Sequence, residues 1–479
     1  MAEHEAIARR LREIGQEHLL RFHDELSPER RRLLLERIEG LPLESVPRLI
    51  EEYVKQKPDF SPRGKIEPAA YYPADPKSSR RSWNRDSFRA KGEALLKMGR
   101  VGVFTVAGGQ GTRLGFDGPK GCYPATPAHG KPLFMVIAEW IRAASARYGA
   151  TIPWYIMTSP ANHDDTVSFF RDQNQFGLKP QSIMHFQQGV MPSFDAATGK
   201  ILLAEKDEPA TNPDGHGGSL RALYVSGAID DMRHRGVEHI SYVQIDNPMV
   251  KPVDPVFIGL HAAAPDSSGE MSSKMVEKTE PSEKVGVFST VDGRVQVIEY
   301  SDLPDELAQQ RDDAGALRFN AGSPAIHLIG VEFVARLNEK GDDGLSLPFH
   351  RADKKVPHVD LATGKKVEPD SANGVKLEMF VFDALPLAEK SIVLETLRED
   401  EFAPIKNAEG VDSPASSRRL QSGRGARWLE SAGVRVARNE DGSPACTIEI
   451  SPLKAMGPED LKGMALPKEI EPGATFVLE

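Results

Sequence analysis

Apolar positions change their period several times along the chain, and each change predicts an element. In the first 55 residues the period is helical. Ile7, Leu11 and Ile14 share one face, and Ser27-Pro28 reads as an N-cap with proline at the first helical position. Leu33, Leu34 and Ile38 continue that helix, and Ser45 opens a third with Leu49, Ile50 and Tyr53 apolar. Residues 56–97 lose the pattern to prolines, serines and basic residues and read as an extended connection wrapping the next domain, with KSSRRSW at 77–83 as a solvated loop. From Val101 strands and helices alternate. VGVFTVA at 101–107, WYIMTS at 154–159, IMHFQQG at 183–189 and HISYVQID at 239–246 are strands. Pro132–Tyr148 is a helix, and Asn162 can cap another that runs to Phe170. His163, Asp164 and Asp165 then form a polar first turn, because adjacent helical positions diverge too far to share a metal.

Alternation of this kind predicts an α/β fold with a mixed, mainly parallel sheet. The antiparallel part is expected from VGVFST and VQVIEY flanking Asp292-Gly293, a hairpin signal, and from RFNAGSPAIHLIG at 318–330. SIVLET at 391–396 and CTIEI at 446–450 suggest a small β-containing C-terminal piece, and the polar, turn-rich stretch 409–425 between them reads as mobile. The expected division is a helical N-terminal region with its linker at 1–97, a central domain at 98–388 and a C-terminal domain at 389–479.

Composition narrows the function. The chain has 479 residues, 39% hydrophobic and 27% charged, with net charge −10. That balance argues against a general nucleic-acid or membrane-surface binder, which needs a concentrated basic field. An anionic substrate must be held by local cations. The two cysteines, Cys122 and Cys446, offer neither zinc spacing nor a disulfide framework, so a reducing compartment is expected. The N-terminus MAEHEAIARRLREIG has no apolar signal core and no run of about 18 apolar residues exists, so the cytoplasm is expected and no membrane contact.

Local cations are found after the first central strand. Gly108, Gly109, Gly111, Gly115 and Gly118 are followed by Pro119 and Lys120, with Arg113 among them. Bare backbone N–H groups can approach an anion there, and a following helix N-terminus would add positive potential. A dinucleotide fingerprint begun at Gly109 and Gly111 would have its third glycine at Leu114, and a P-loop needs Gly-Lys-Ser/Thr where this chain has Pro119-Lys120. A plain glycine-rich turn would satisfy the glycines but leave the two cations unexplained. A second cluster, PDGHGGSLRAL at 213–223, suits close approach to a base or phosphate as well as it suits a plain helix entry near Ser219. NGVKLEMFVFDAL at 373–385 brings Lys376, Phe380, Phe382 and Asp383 together, although aromatics in such a run are more often core. Cys122, two residues beyond Lys120, is an inert small residue or a thiol whose pKa that lysine lowers.

AGGQGTRLG followed by PKG resembles the signature loop of nucleotide-sugar pyrophosphorylases, and within them the eukaryotic-type UDP-N-acetylglucosamine pyrophosphorylases. The likeness continues in order through QEHLLRF (16–22), QQG (187–189), PDGHGG (213–218), DNPMVKPVDPVFIG (246–259), KTEPSEKVGVF (278–288), VIEYSDL (297–303), FNAG (319–322), NGVKLEMFVFD and REDEFAPIKNA (398–408). It implies a central Rossmann-like nucleotidyltransferase domain flanked by N-terminal and C-terminal regions. It also implies a reaction in which UTP and a sugar-1-phosphate give a UDP-sugar and pyrophosphate, in a monomer or weak homodimer.

Carried over by residue, the resemblance implies that Ala107, Gly108, Gly109 and Gly111 line the nucleotide, that Arg113 and Lys120 face the triphosphate, and that Gln188 and Gly215 read the uracil. Asp246 would lie near the ribose and metal-bound phosphates. Lys376 and Lys406 would meet phosphates, Lys406 that of the sugar. Gly286, Glu299, Asn320, Phe380 and Phe382 would line the sugar pocket. His216 and Ser323 stand where N-acetylglucosamine enzymes usually carry Asn, and both are on the sugar side; a GHG loop is more like the UDP-glucose and broad UDP-sugar enzymes. Hard oxygen ligands and phosphates suit Mg²⁺, with Asp246 the first candidate ligand and Asp383, equally readable as a structural carboxylate, the second. Rival readings are a UTP–glucose-1-phosphate or broad-specificity enzyme, a nicotinamide-dependent dehydrogenase, disfavoured by the missing third glycine, and a sugar-nucleotide-binding regulator without catalysis.

Overall fold

The computed structural model describes residues 2–58, 64–339 and 347–479. The chain forms two compact units, one from Met1–Ser61, Gln188–Ala222 and Leu337–Asp383, the other from Pro62–Gln187, Leu223–Arg336 and Ala384–Glu479.

The first unit holds the helices expected at the N-terminus. Helix α1 (Ala2–Glu13) buries Ile7 and Leu11, and α2 (Pro28–Glu39) buries Leu34, Leu35 and Ile38. Ser27 Oγ accepts from Arg30 N at 3.4 Å, so the cap read from Ser27-Pro28 is present. The third helix begins at Val46 and ends in a wider turn over Ile50–Val54. These helices dock on residues 199–207. Gln16 Nε2 donates to Gly199 O at 3.3 Å while its Oε1 accepts from Ile201 N at 2.8 Å, and Arg30 Nε donates to Asp207 Oδ2 at 2.8 Å. A three-stranded sheet, Phe349–Lys354 beside Gly374–Met379 beside Phe194–Asp195, completes the unit, with Tyr53 edge-on to Phe349 at 5.7 Å.

The second unit is built on one mixed sheet. Its strands are β1 (Ile66–Pro68), β2 (Val101–Val106), β3 (Trp154–Thr158), β4 (Ile183–Gln187), β5 (His239–Gln244), β6 (Met271–Glu277), β7 (Val287–Val291), β8 (Arg294–Ile298), β9 (Ala321–Gly322), β10 (His327–Gly330) and β11 (Val393–Glu395). They lie in the order β1–β7–β9–β6–β10–β5–β2–β3–β4, with β8 on β7 and β11 on β6. The expected mixed sheet is there, but parallel pairing is confined to the block β4–β3–β2–β5 and to β6–β11; every other pairing is antiparallel. "Mainly parallel" therefore describes only the half that reads as alternating strand and helix. Strand β2 is buried along nearly its whole length, as an apolar β-branched run covered on both faces should be. The hairpin β7–β8 turns at Asp292 and Gly293, with φ of 47° and 82°, the left-handed pair that Asp-Gly favours.

Three segments differ from expectation. The linker at 56–97 contributes β1 and a 13-residue helix, α3 (Arg85–Lys97), whose N-cap Asn84 accepts from Ser87 N at 2.9 Å. Polar residues hide its packing face, which rests on a glycine. A Cβ at Gly92 would overlap Pro255 O of α6 (Pro255–Ala263), and one at Gly259 would overlap Phe88 O, so the two backbones touch. Between these two in the sequence come α4 (Leu133–Tyr148) and α5 (His163–Asp172), whose Phe134 and Phe170 meet at 4.9 Å beside Trp154.

The stretch expected to be mobile, 409–425, enters an 18-residue helix, α7 (Pro414–Ser431), opened by a Ser413/Ser416 capping box. Up to its last turn the buried face is Ser417, Gln421, Ser422, Gly425 and Ala426, too small and polar to register as an apolar period, and Trp428 and Leu429 join it only near the end. Finally, SIVLET does not belong with the C-terminal strands. It supplies β11, parallel to β6 in the main sheet, while Thr447–Ile450 pairs in parallel with Thr475–Leu478 over a small core of Trp428, Leu429 and Ile448. Among the described residues no helix is long and apolar enough to cross a membrane.

Candidate functional site

Register explains why the glycine loop and Asp246 meet. Strands β2 and β5 pair in parallel from Val101↔His239 to Val106↔Gln244, so the two strands end together, and the glycine loop and Asp246 leave them at the same carboxyl edge. Lys120 Nζ lies 3.6 Å from Asp246 Oδ2, with both side chains largely shielded from solvent.

The loop is folded on itself by backbone bonds. Gly111 N donates to Gly118 O at 2.9 Å, Lys120 N to Gly109 O at 3.1 Å and Phe116 N to Gly111 O at 3.1 Å, with Gly115 and Gly118 at positive φ. Ala107 is buried, Gly108 half-buried and Gly109 exposed, and a side chain at Gly111 would press Phe116 at 2.7 Å. The anticipated helix N-terminus is not there: short 3₁₀ turns, Thr112–Leu114 and Lys120–Cys122, take its place. Positive potential must come from N–H groups, Lys120 and Arg113, which is exposed and has no ion pair among the described residues.

Asn162 does not cap its helix. Its Nδ2 donates to Ala107 O at 3.0 Å and Gly109 O at 3.2 Å while its Oδ1 accepts from Ser159 N at 2.8 Å. It is a strut under the loop that sequence reading misplaced. Cys122 is no activated thiol. Burial, with the Asp165 carboxylate adding, pushes it up to about 12, overriding any effect of Lys120.

Lys406 reaches the same edge through the chain after β11. Ile405 N donates to Asp246 O at 2.9 Å, and Lys406 N and Asn407 N both donate to Asp412 O, at 2.6 and 3.0 Å. Burial raises the Asp412 carboxyl; Lys406 opposes that and the nearby Asp246 carboxylate adds to it. Asp412 is thus a member of the cluster that sequence reading lost inside the stretch taken as mobile.

At the antiparallel half, Gly286, Glu299 and Ser323 converge where β7, β8 and β9 meet. Ser323 N donates to Gly286 O at 2.9 Å, and a Cβ at Gly286 would lie 3.3 Å from Glu299 Oε1. Asn320 is adjacent, its Nδ2 donating to Glu277 Oε1 at 3.1 Å.

The first unit carries the remaining residues. Gln188 is buried directly after β4. The 213–218 loop lies on the strand Gly374–Met379: Gly217 N donates to Met379 O and Met379 N to Asp214 O, both at 2.8 Å. Gly215, at φ +84°, has no room for a side chain against Met379 O. Asp214 is 4% exposed, and its carboxyl is wedged between Gly189 and Gly218, where a Cβ at either would strike it. Its Oδ1 has no hydrogen-bond partner among the described residues, and burial pushes this carboxyl up to about 7.

Beside it the aromatics are stacked. The His216 ring lies 5.1 Å from Phe380 at 10° and 5.7 Å from Phe382, and His350 covers Phe380 at 4.1 Å. Val381 N donates to His216 Nδ1 at 3.1 Å, so Nδ1 is unprotonated and Nε2 carries the hydrogen. Burial, then His350, lowers His216 to about 4, and it is neutral at physiological pH. His350 Nε2 donates to Asp383 Oδ2 at 2.8 Å, which commits the second metal candidate to a histidine. Lys376 is half-buried on the strand Gly374–Met379. Among the described residues no group of three or more His, Cys, Asp or Glu side chains could hold a metal by itself.

A family model described as UTP–glucose-1-phosphate uridylyltransferase matches residues 50–417. The chain is 37% identical over 498 residues to a human protein named UDP-N-acetylhexosamine pyrophosphorylase-like protein 1, covering 96% of this chain and 95% of that one. It is 38% identical over 352 residues to the UDP-N-acetylglucosamine pyrophosphorylase of Saccharomyces cerevisiae, 72% of each chain. Among solved structures it is similar to the UDP-N-acetylglucosamine pyrophosphorylase of Trypanosoma brucei in complex with an inhibitor, with a TM-score of 0.80 and 26% identity over 100% of this chain and 98% of that one.

Proposed function

The chain belongs to the UTP–glucose-1-phosphate uridylyltransferase family, and we infer from this that it transfers uridylyl from UTP to a sugar-1-phosphate, N-acetylglucosamine-1-phosphate first, releasing pyrophosphate. The sugar follows the relatives named for N-acetylglucosamine and N-acetylhexosamine. The observation that carries the chemistry is the parallel register of β2 and β5, which sets Lys120 3.6 Å from Asp246 at the carboxyl edge of the sheet, with Lys406 arriving there too.

A sugar-phosphate oxygen attacks the α-phosphorus of UTP as the bond to pyrophosphate breaks. The second pKa of such a phosphate is about 6, so the nucleophile is already largely ionised at neutral pH and needs no general base. What remains is to bring polyanions together and to stabilise charge on the leaving oxygen. Lys120 and the loop N–H groups serve the triphosphate, Arg113 extends over it from solvent, and Lys406 and Lys376 take phosphates. Asp246, a hard oxygen donor at the strand end, fits Mg²⁺, which is bound by one or two carboxylates together with substrate phosphates. The ion would neutralise phosphate charge when bound. Two free thiols support a reducing, cytoplasmic setting.

The test is pyrophosphate release from UTP with Mg²⁺ and a panel of sugar-1-phosphates. Release with N-acetylglucosamine-1-phosphate is expected. No release with any sugar, while UDP-sugar still binds, would make the protein a binding module instead.

A further inference from the structure

Lys274 on β6 is 1% exposed and carries its charge into the interior. Its Nζ lies 2.7 Å from both oxygens of Glu401, itself 1% exposed, and 2.8 Å from Asp254 Oδ2. Burial acts against charge on Asp254, yet Lys274 holds it below the usual carboxylate range, and the two carboxylates raise Lys274 although burial opposes this. A buried ion pair of this kind is seldom worth more than a well-packed apolar replacement, so its use is better sought in the geometry it fixes.

That geometry leads to the catalytic edge. Glu401 Oε1 accepts from Lys251 N at 3.0 Å and Oε2 from Thr396 Oγ1 at 2.7 Å. Its backbone oxygen accepts from Asn247 Nδ2 at 2.7 Å, and Asn247 Oδ1 accepts in return from Ala403 N at 3.1 Å. Ile405 N then donates to Asp246 O at 2.9 Å. Segments 246–251 and 401–405 are thereby zipped side by side, with Asp246 and Lys406 at the active end and the buried charges at the other. Asp254 ties in a third element, because it also caps α6 through Val256 N at 3.0 Å. No atom of Lys274 or Glu401 belongs to the group of side chains assigned to substrate.

We propose that Lys274 and Glu401 are positioning residues for uridylyl transfer, holding Lys406 in place against the strand-anchored Asp246 through the Asn247 clasp. This rests on the function proposed above. The test is steady-state kcat and KM for UTP and N-acetylglucosamine-1-phosphate in the full chain. Glu401→Gln and Asn247→Ala are each made alone and with Lys406→Ala, at enzyme concentrations that register the residual rate, and folding is followed by circular dichroism. Displacing a phosphate ligand by a fraction of an ångström should lower kcat/KM by about 10–100-fold. In the Lys406→Ala background the same substitutions should cost less than about threefold, because the side chain they position is gone. A folded Glu401→Gln enzyme with wild-type kcat/KM, or losses that simply multiply with that of Lys406→Ala, would overturn the proposal. Should Glu401→Gln fail to fold, Asn247→Ala, which leaves the buried charges intact, decides by the same criterion. A wild-type protein that releases no pyrophosphate would instead refute the function on which the proposal rests.

Discussion

The two glycine-rich loops look alike in sequence and differ in what their glycines make room for. Within 108–118 Gly111 is packed against Phe116, but at Gly109 the space opens outward: a Cβ there would meet nothing closer than Lys120 Cδ at 3.9 Å, and the loop is propped from below by Asn162. At 213–218 the space is already filled by the protein, by the Asp214 carboxyl and the backbone of Met379 and Phe380. Glycine therefore signals close approach in both places, but only the first loop leaves the approach to a ligand. The cations agree. Lys120 and Arg113 belong to the open loop, whereas the filled one carries His216, neutral and stacked on Phe380.

The contrast can be broken most forcefully at Lys120. Lys120→Ala should lower kcat/KM for pyrophosphate release by about 10²–10³, the loss for one preorganised charge-stabilising donor, and leave the unfolding midpoint unchanged. Near wild-type turnover at limiting and saturating UTP would remove Lys120 from the mechanism. A pair of alanines then separates the loops. Gly218→Ala must displace the Asp214 carboxyl and should destabilise the fold by about 1–3 kcal/mol in chemical denaturation. Gly109→Ala has room and should fold as the wild type does, yet lower kcat/KM by about 10–100-fold if phosphate comes as close as proposed. The reverse outcome would mean that the two loops had exchanged roles.

Asp214 sharpens the comparison through pH. Its folded pKa, about 7, lies above the unfolded carboxyl value, so the folded state holds a proton that the unfolded state gives up first. Its contribution is complete below about pH 4 and is lost as pH rises towards 7. Wild-type stability should therefore fall relative to Asp214→Asn by about 1–3 kcal/mol between pH 5 and 8, the range for an unsatisfied buried polar group. Parallel stability–pH curves for the two proteins would count against the raised pKa.

The smallest effect is expected in sugar choice. His216 offers one donor, Nε2–H, because its Nδ1 is taken by Val381 N. N-acetylglucosamine-1-phosphate should be preferred over glucose-1-phosphate by a margin of about 10–100-fold in kcat/KM, and His216→Asn should widen it. A tenfold preference for glucose-1-phosphate would show that His216 is a better guide to the sugar than the longer matching blocks.

Sequence made the parallel block legible because β2, β3 and β5 are buried along nearly their whole length and announce themselves as apolar runs, and because strand ends mark the ligand side of such a sheet. It failed where packing is done by small residues. Helix α3 meets α6 through Gly92 and Gly259, so its apolar stripe of Phe88, Leu95 and Leu96 is broken at the centre, and α7 buries serines and a glycine before it reaches Trp428 and Leu429, so the helical apolar period is interrupted in both. Losing α7 also lost Asp412. The pairing of Asp383 with His350 escaped for another reason: 33 positions separate them in the chain, and only the pairing of Phe349–Lys354 with Gly374–Met379 brings them together.

The first unit's assembly from three separated segments has a consequence in time. Tyr53 finds its ring partner in Phe349, and the Tyr53 hydroxyl meets Phe349 N across 296 positions. A ribosome adding about 5–20 residues each second needs on the order of 15–60 s to travel that far. During the interval the N-terminal helices are outside the tunnel while the strand Phe349–Lys354 is not yet made, whereas β2 to β5 all lie between Val101 and Gln244 and can pair well before it. The parallel block that holds Lys120 and Asp246 is therefore free to form first, and the unit that carries His216 and the stacked aromatics is completed late, by residues translated well after its own beginning.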